Sequence, residues 1–135
     1  MTDIDEAEIV TELVQATGES ATLAYPDWTH AVSTNVQTAR GVSTALVVAY
    51  RGEEGKIVSF FRHGDLSHRV AKYSDRLFVA QGSEWAGMKC SVARSGLFRI
   101  EYSYDGDEAI KWANQVISGL SPDELVEILR PSGDL

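Results

Sequence analysis

Apolar residues recur along this chain with two different periods, and the switches between them mark out its elements. From Asp3 to Ala16, the residues Ile4, Ala7, Ile9, Val10, Leu13 and Val14 fall at helical spacing. Acids crowd the first turns, where the helix dipole favours them, and Thr17-Gly18 is expected to end the helix. After Pro26 the period becomes two. Trp28 to Val36 predicts a strand that breaks at Arg40-Gly41, and Ser43 to Arg51 (STALVVAYR) predicts a central strand. Gly52-Glu53-Glu54-Gly55 predicts a hairpin loop with glycines available for positive φ, followed by a third strand over Lys56 to Arg62.

Helical spacing returns at Leu66, Val70, Tyr73 and Leu77. It predicts a helix from Leu66 to Ala80, with Asp65 as its cap and Gly82 as its stop. Trp85 to Ala93 alternates, with Met88, Cys90 and Val92 on one side, and Ser95-Gly96 makes a tight turn. Leu97 to Tyr104 alternates most cleanly: Phe98, Ile100, Tyr102 and Tyr104 face one way, Arg99, Glu101 and Ser103 the other, so one face is expected to be wet. Asp105-Gly106-Asp107 ends the sheet and opens a helix through Ile110, Ala113, Val116 and Ile117 to Gly119. Ser121-Pro122-Asp123-Glu124 supplies an N-cap, a proline at the first helical position and two acids, opening a last short helix. Pro131-Ser132-Gly133 ends it, and residues 130–135 are expected to fray. The order α-βββ-α-ββ-α-α, with short connections, predicts one α+β domain over residues 1–135. Its sheet should have five strands, mainly antiparallel, with helices packed on one face.

Charge narrows the function classes. The 135 residues carry 20 Asp+Glu against 12 Lys+Arg, a net charge of −8. Repulsion from phosphate and anionic lipid argues against nucleic-acid and membrane partners. The longest strongly apolar run, Ala45 to Tyr50, is too short to span a bilayer. MTDIDEAEIV has no basic stretch of the kind that opens a signal peptide, so a cytoplasmic protein is expected. Cys90 is the single cysteine, which excludes an intrachain disulfide and a cysteine zinc cluster. Charge is also blocked along the chain. Residues 1–39 hold seven acids and no Lys or Arg, residues 40–99 ten bases and five acids, and residues 100–135 eight acids and two bases. If the terminal helices share a face, the molecule has an acidic side suited to a basic partner.

Catalytic patterns are weak. Gly52-Glu53-Glu54-Gly55-Lys56 has the wrong spacing for a phosphate loop, and its lysine opens a strand rather than a helix. His63, Asp65 and His68 could supply metal ligands, but the histidines are five residues apart and do not share a helix face. No Gly-x-Ser-x-Gly elbow occurs, and Cys90 falls on the Met88/Val92 side, where core packing is the expected role. Trp28, Trp85 and Trp112 are likewise expected in the core. No enzyme, metal or cofactor is therefore expected.

Residues Trp85 to Asp105, WAGMKCSVARSGLFRIEYSYD, carry a more specific pattern. A tryptophan opens a strand, a Ser-Gly turn follows, and Gly-x-Phe-x-Ile leads to tyrosines ending in an acid. The pattern resembles the YezG-like family of bacterial polymorphic-toxin immunity proteins. Trp85, Gly96, Phe98, Tyr102 or Tyr104, and Asp105 are the matching positions. The resemblance implies a non-catalytic module that binds and neutralises a cognate toxin, expected to be basic. Tyr104, Asp105, Asp107 and Glu108, with Glu53 and Glu54 of the first hairpin, are the candidate contact residues, since tyrosine supplies an anchor and the acids supply charge complementarity. An alternative is an acidic secretion chaperone, similar in element order, which would form a homodimer and hold an exported partner. A third is a small-ligand sensor or enzyme with a pocket near His30, His63 or His68.

Overall fold

The computed structural model describes residues 5–133 and 135. Its strands are β1 (His30–Ala39), β2 (Val42–Arg51), β3 (Glu54–Ile57), β4 (Gly87–Ala93) and β5 (Phe98–Ser103). They form one antiparallel sheet in the order β3-β2-β1-β4-β5. Its helices are α1 (Glu6–Thr22), α2 (Gly64–Ala80), α3 (Gly106–Ala109), α4 (Gln115–Ser118) and α5 (Pro122–Leu129), with a 3-10 turn over Ile110–Trp112. The sequence-predicted order of helices and strands is the order observed, in an α+β fold.

Both faces of the sheet are covered, whereas the sequence pattern predicts helices on one. The odd positions of β1 and β2 (Ala31, Val47, Ala49) and the even positions of β4 (Met88, Cys90, Val92) pack under α1 and α2, against Ile9, Leu13, Val70 and Leu77. The opposite positions, Val32, Val36, Leu46, Val48 and Tyr50, pack under Ala109, Trp112, Ala113, Val126 and Leu129. β2 is apolar at both parities, with Val47 on one face and Val48 on the other, so either face left open would expose a valine. The C-terminal segment covers the second face by crossing the strands in turn. α3 touches β5 and β4, the 3-10 turn lies over β4 and β1, Asn114 Nδ2 donates to Thr44 Oγ1 of β2 at 3.3 Å, and α5 lies on β3.

Local departures from the sequence pattern each have a packing cause. α1 runs through Thr17-Gly18 to Thr22 because Gly18 lies under the Trp28 ring, where an added Cβ would stand 3.2 Å from the indole. A helix-breaking residue is here used for close approach. The expected start of this helix at Asp3 and Ile4 lies outside the described residues. The third strand stops at Ile57 rather than Arg62, since the chain turns at Phe60 to enter α2 and Arg62 takes a left-handed φ of 66°. Asp65 does not cap α2. The cap position is His63, without a side-chain bond, and Asp65 sits in the first turn, where its charge still meets the dipole. The long helix expected from Asp105 to Gly119 is three short pieces, interrupted where Ala113 becomes extended and Asn114 caps a new turn through Ile117 N–H. Ser121 caps α5 as expected, and Glu124 bonds back to the Ser121 N–H, completing a reciprocal capping box. Within residues 130–135, Arg130 donates to the Glu53 carbonyl at 2.9 Å and Ser132 accepts from Arg99. Asp134 lies outside the described residues.

All three tryptophans are buried. Trp85 is 2% exposed, edge-on to Phe78 with ring centroids 4.8 Å apart, and its Nε1 donates to Gln81 Oε1 at 2.9 Å. Gln81 in turn donates to the Tyr102 hydroxyl at 2.8 Å. One indole thus joins the end of α2 to β5, with both of its chemical needs met.

Candidate functional site

The residues picked out by sequence divide between two opposite corners of the sheet. Arg51 pairs with Glu54, and Tyr50 lies in register with His30 and Ala93, so Glu53 and Glu54 occupy the end of the sheet where β1 begins, at its β3 edge. Gly87 pairs with both Val36 and Ser103, so Tyr104 and Asp105 emerge at the other end, at the β5 edge. From strand and residue spacings, the two groups are on the order of 30 Å apart. They do not form one patch.

At the β3 corner the Glu54 carboxylate is paired. Arg51 donates to both Glu54 oxygens, at 3.2 and 3.1 Å, and to Asp27 at 3.4 Å. Those bonds, Glu54's first, raise the Arg51 pKa above its ordinary value. The Arg51 guanidinium and the Lys56 ammonium also stand over the Tyr25 ring, at 4.6 and 4.8 Å from its centroid. Glu53 lends its carbonyl to Arg130. Charges neutralised at home contribute little to attracting a partner.

The β5 corner differs. Tyr104 is 68% exposed. Asp105 caps α3, accepting from Asp107 N–H at 2.9 Å, which turns Asp107 and Glu108 outward at the helix start. Among the described residues neither Asp107 nor Glu108 forms an ion pair. At the same end of the sheet, Val116 is 92% exposed, with Ile117 and Val42 also open to solvent. The sequence reading missed Val116 and Ile117, because it placed them on the buried stripe of a longer helix. The readable signal was Asn114, a strong capping residue in the middle of that stripe.

The two acidic blocks lie on opposite faces, α1 on one and α3–α5 on the other, so no single acidic side exists. On the first face, acidic α1 lies against basic α2, and Arg69 makes a two-pronged pair with Glu19 at 3.1 and 3.0 Å.

The remaining chemical candidates are dispersed. His63, Asp65 and His68 are exposed around the start of α2, while His30 is half-buried at the start of β1. Among the described residues, no group of three His, Cys, Asp or Glu side chains is placed to hold a metal ion. Cys90 is wholly buried, and burial pushes its thiol pKa up to about 12, far from the thiolate a nucleophile requires. No helix among the described residues is long and apolar enough to cross a membrane. No protein-family model matches the chain, and no curated protein matches it in sequence.

Proposed function

We propose that this protein is a non-catalytic binding module of the immunity type, which occupies and neutralises a basic toxin in the cell that makes both. The observation that carries the reading is the β5 corner. There the exposed Tyr104 stands beside Asp107 and Glu108, two carboxylates with no cation of their own among the described residues. An aromatic anchor rimmed by unspent negative charge fits a partner whose active site is built to hold anions. Val116, at the same end of the sheet, adds an apolar contact. The resemblance of Trp85 to Asp105 to the YezG-like immunity pattern supports the same class.

The test is co-expression with the products of the genes that flank this one, scored by cell survival and by affinity of the purified pair. The wild type should protect. Asp107→Lys with Glu108→Lys should lose protection and weaken binding at least tenfold, with the fold retained by circular dichroism. Equal protection and affinity in the double variant would remove the β5 corner from the interface, and absence of protection by the wild type would sink the immunity reading. The secretion-chaperone alternative draws on the element order and on the open edge of β5, and it requires binding to an unfolded segment rather than to a folded toxin.

A further inference from the structure

β5 is an outer strand, paired with β4 on one side only. The alternation of the ladder fixes which of its backbone groups point outward. Arg94 N–H bonds the Thr29 carbonyl toward β1, and Ala93 N–H bonds the Leu97 carbonyl toward β5, at 2.9 and 2.8 Å. Continuing that alternation, Arg99 and Glu101 spend their N–H and C=O groups on β4, as Leu97 spends its C=O. Phe98, Ile100 and Tyr102 direct theirs away from the sheet.

Outer strands are ordinarily guarded by prolines, bulges, like charges or a covering element. β3 is four residues long and lies under α5. β5 has neither proline nor bulge, pairing with β4 without interruption from Phe98 to Ser103. Phe98 is 49% exposed and Leu97 63%. Its two charges, Arg99 and Glu101, are of opposite sign and flank Ile100, and both point to the α3–α5 face of the sheet.

We infer that β5 pairs with β5 of a second copy of this chain, antiparallel about a two-fold axis through Ile100, joining the two sheets into one of ten strands. The register is self-complementary. Ile100 meets Ile100 and Phe98 meets Tyr102 at outward-pointing positions, which gives about six backbone hydrogen bonds. Arg99 of one copy stands opposite Glu101 of the other at the non-hydrogen-bonded positions, where side chains approach most closely. Moving the axis by one residue in either direction sets Arg99 against Arg99 or Glu101 against Glu101. The charges therefore select one register and penalise its neighbours. Within each copy, Arg99 and Glu101 already lie 3.5 Å apart and Lys89 stands 3.8 Å from Glu101, so pairing extends an existing network.

The experiment is light scattering coupled to size exclusion on the full chain, over a range of concentrations. The wild type should run at twice the monomer mass. Arg99→Glu and Glu101→Arg should each run as monomers, because each sets like charges across the axis. An equimolar mixture of the two variants should return to the dimer mass, since the mixed pair has opposite charges throughout. Circular dichroism confirms that each variant is folded. Should either fail to fold, Ile100→Cys in a Cys90→Ala background, which removes its cross-strand thiol neighbour, provides a second readout: two cysteines on the axis should form an intermolecular disulfide under mild oxidation, while Ser95→Cys in the same background, off the axis, should not. A wild type that is monomeric at every concentration would overturn the inference. So would single variants that dimerise as the wild type does, or a position-100 cysteine that cross-links no better than the control.

Discussion

The phenol of Tyr50, on β2, donates a 2.7 Å hydrogen bond to the main-chain carbonyl of Val126 in α5. That carbonyl belongs to the last turn of the helix, where the intrahelical ladder supplies no partner. The Arg130 guanidinium lies 5.2 Å from the centroid of the same ring. One side chain therefore ties the end of the chain to the second face of the sheet.

Tyr50→Phe keeps the packing and removes the bond. The expected cost is about 1 kcal/mol of stability. Amide exchange in α5 should accelerate more than in α1, measured by hydrogen–deuterium exchange. Burial, partly offset by Arg130, raises the pKa of this phenol. A raised folded-state pKa gives stability that is whole below the ordinary tyrosine value of about 10 and is lost as pH rises beyond it. Above that pH, the wild type should lose stability more steeply than Tyr50→Phe, which a series of urea midpoints would resolve.

Cys90 follows the same sign at lower pH. Its thiol is pushed up from 9.0 to about 12 by burial, with a smaller opposing effect from the Ser33 hydrogen bond. Between those values the unfolded chain releases the proton and the folded chain keeps it, so stability falls as pH rises. Cys90→Ala should flatten that dependence. In the native wild type the thiol should resist alkylation until denaturant is added.

Two glycines hold the second face close to the sheet. A Cβ on Gly87 would stand 2.7 Å from Ala109 Cβ, and one on Gly55 would stand 2.7 Å from Val126 Cγ1 and 2.8 Å from the Tyr50 ring. Gly87→Ala and Gly55→Ala should each destabilise by about 1–3 kcal/mol through overpacking. Gly64→Ala meets nothing within 4 Å at the first position of α2. It should be neutral or stabilising by about 0.4–1 kcal/mol. Thermal denaturation of the three variants ranks them.

The wholly buried Asn35 joins β1 to α2, donating to Ser74 Oγ and Asp75 Oδ1, each at 2.8 Å. Ser43 donates to the same Asp75 oxygen at 2.7 Å. Asn35→Ala should cost about 2 kcal/mol by stripping partners from a buried network. Asn35→Asp should be worse at pH 7 than at pH 4, because two carboxylates at that distance cannot both ionise without cost. Denaturation at the two pH values tests the difference.

How much of this was readable in the chain depends on the range of the physics involved. The alternation of Phe98 to Ser103, the Ser121 N-cap and the helix stop at Gly119 are local, decided by neighbours within a few residues, and each appears where the pattern predicts it. Gly18 and Asp65 misled because their roles depend on distant partners or on competing local positions, and Asn114 went unread. Gly18 answers to Trp28, and Asn114 to the break in a helix that must bend across the sheet. The candidate site fared similarly. Tyr104, Asp105, Asp107 and Glu108 are consecutive enough to stay together in any fold, whereas Glu53 and Glu54 could join them only through topology.

By itself the sequence determined the element types, their order and the antiparallel sheet, because hydrophobic period, caps and short connections act over a few residues. Tertiary structure alone decided that β1 stands at the centre and that the C-terminal segment crosses to the far face. It also separated the acidic blocks, so that the Glu54 carboxylate is spent on Arg51 while Asp107 and Glu108 at the β5 corner keep their charge free of ion pairs among the described residues. The alternating pattern says which residues share a face of a strand. Which element then covers that face is settled only when every apolar surface of the chain competes for the same few places to be buried.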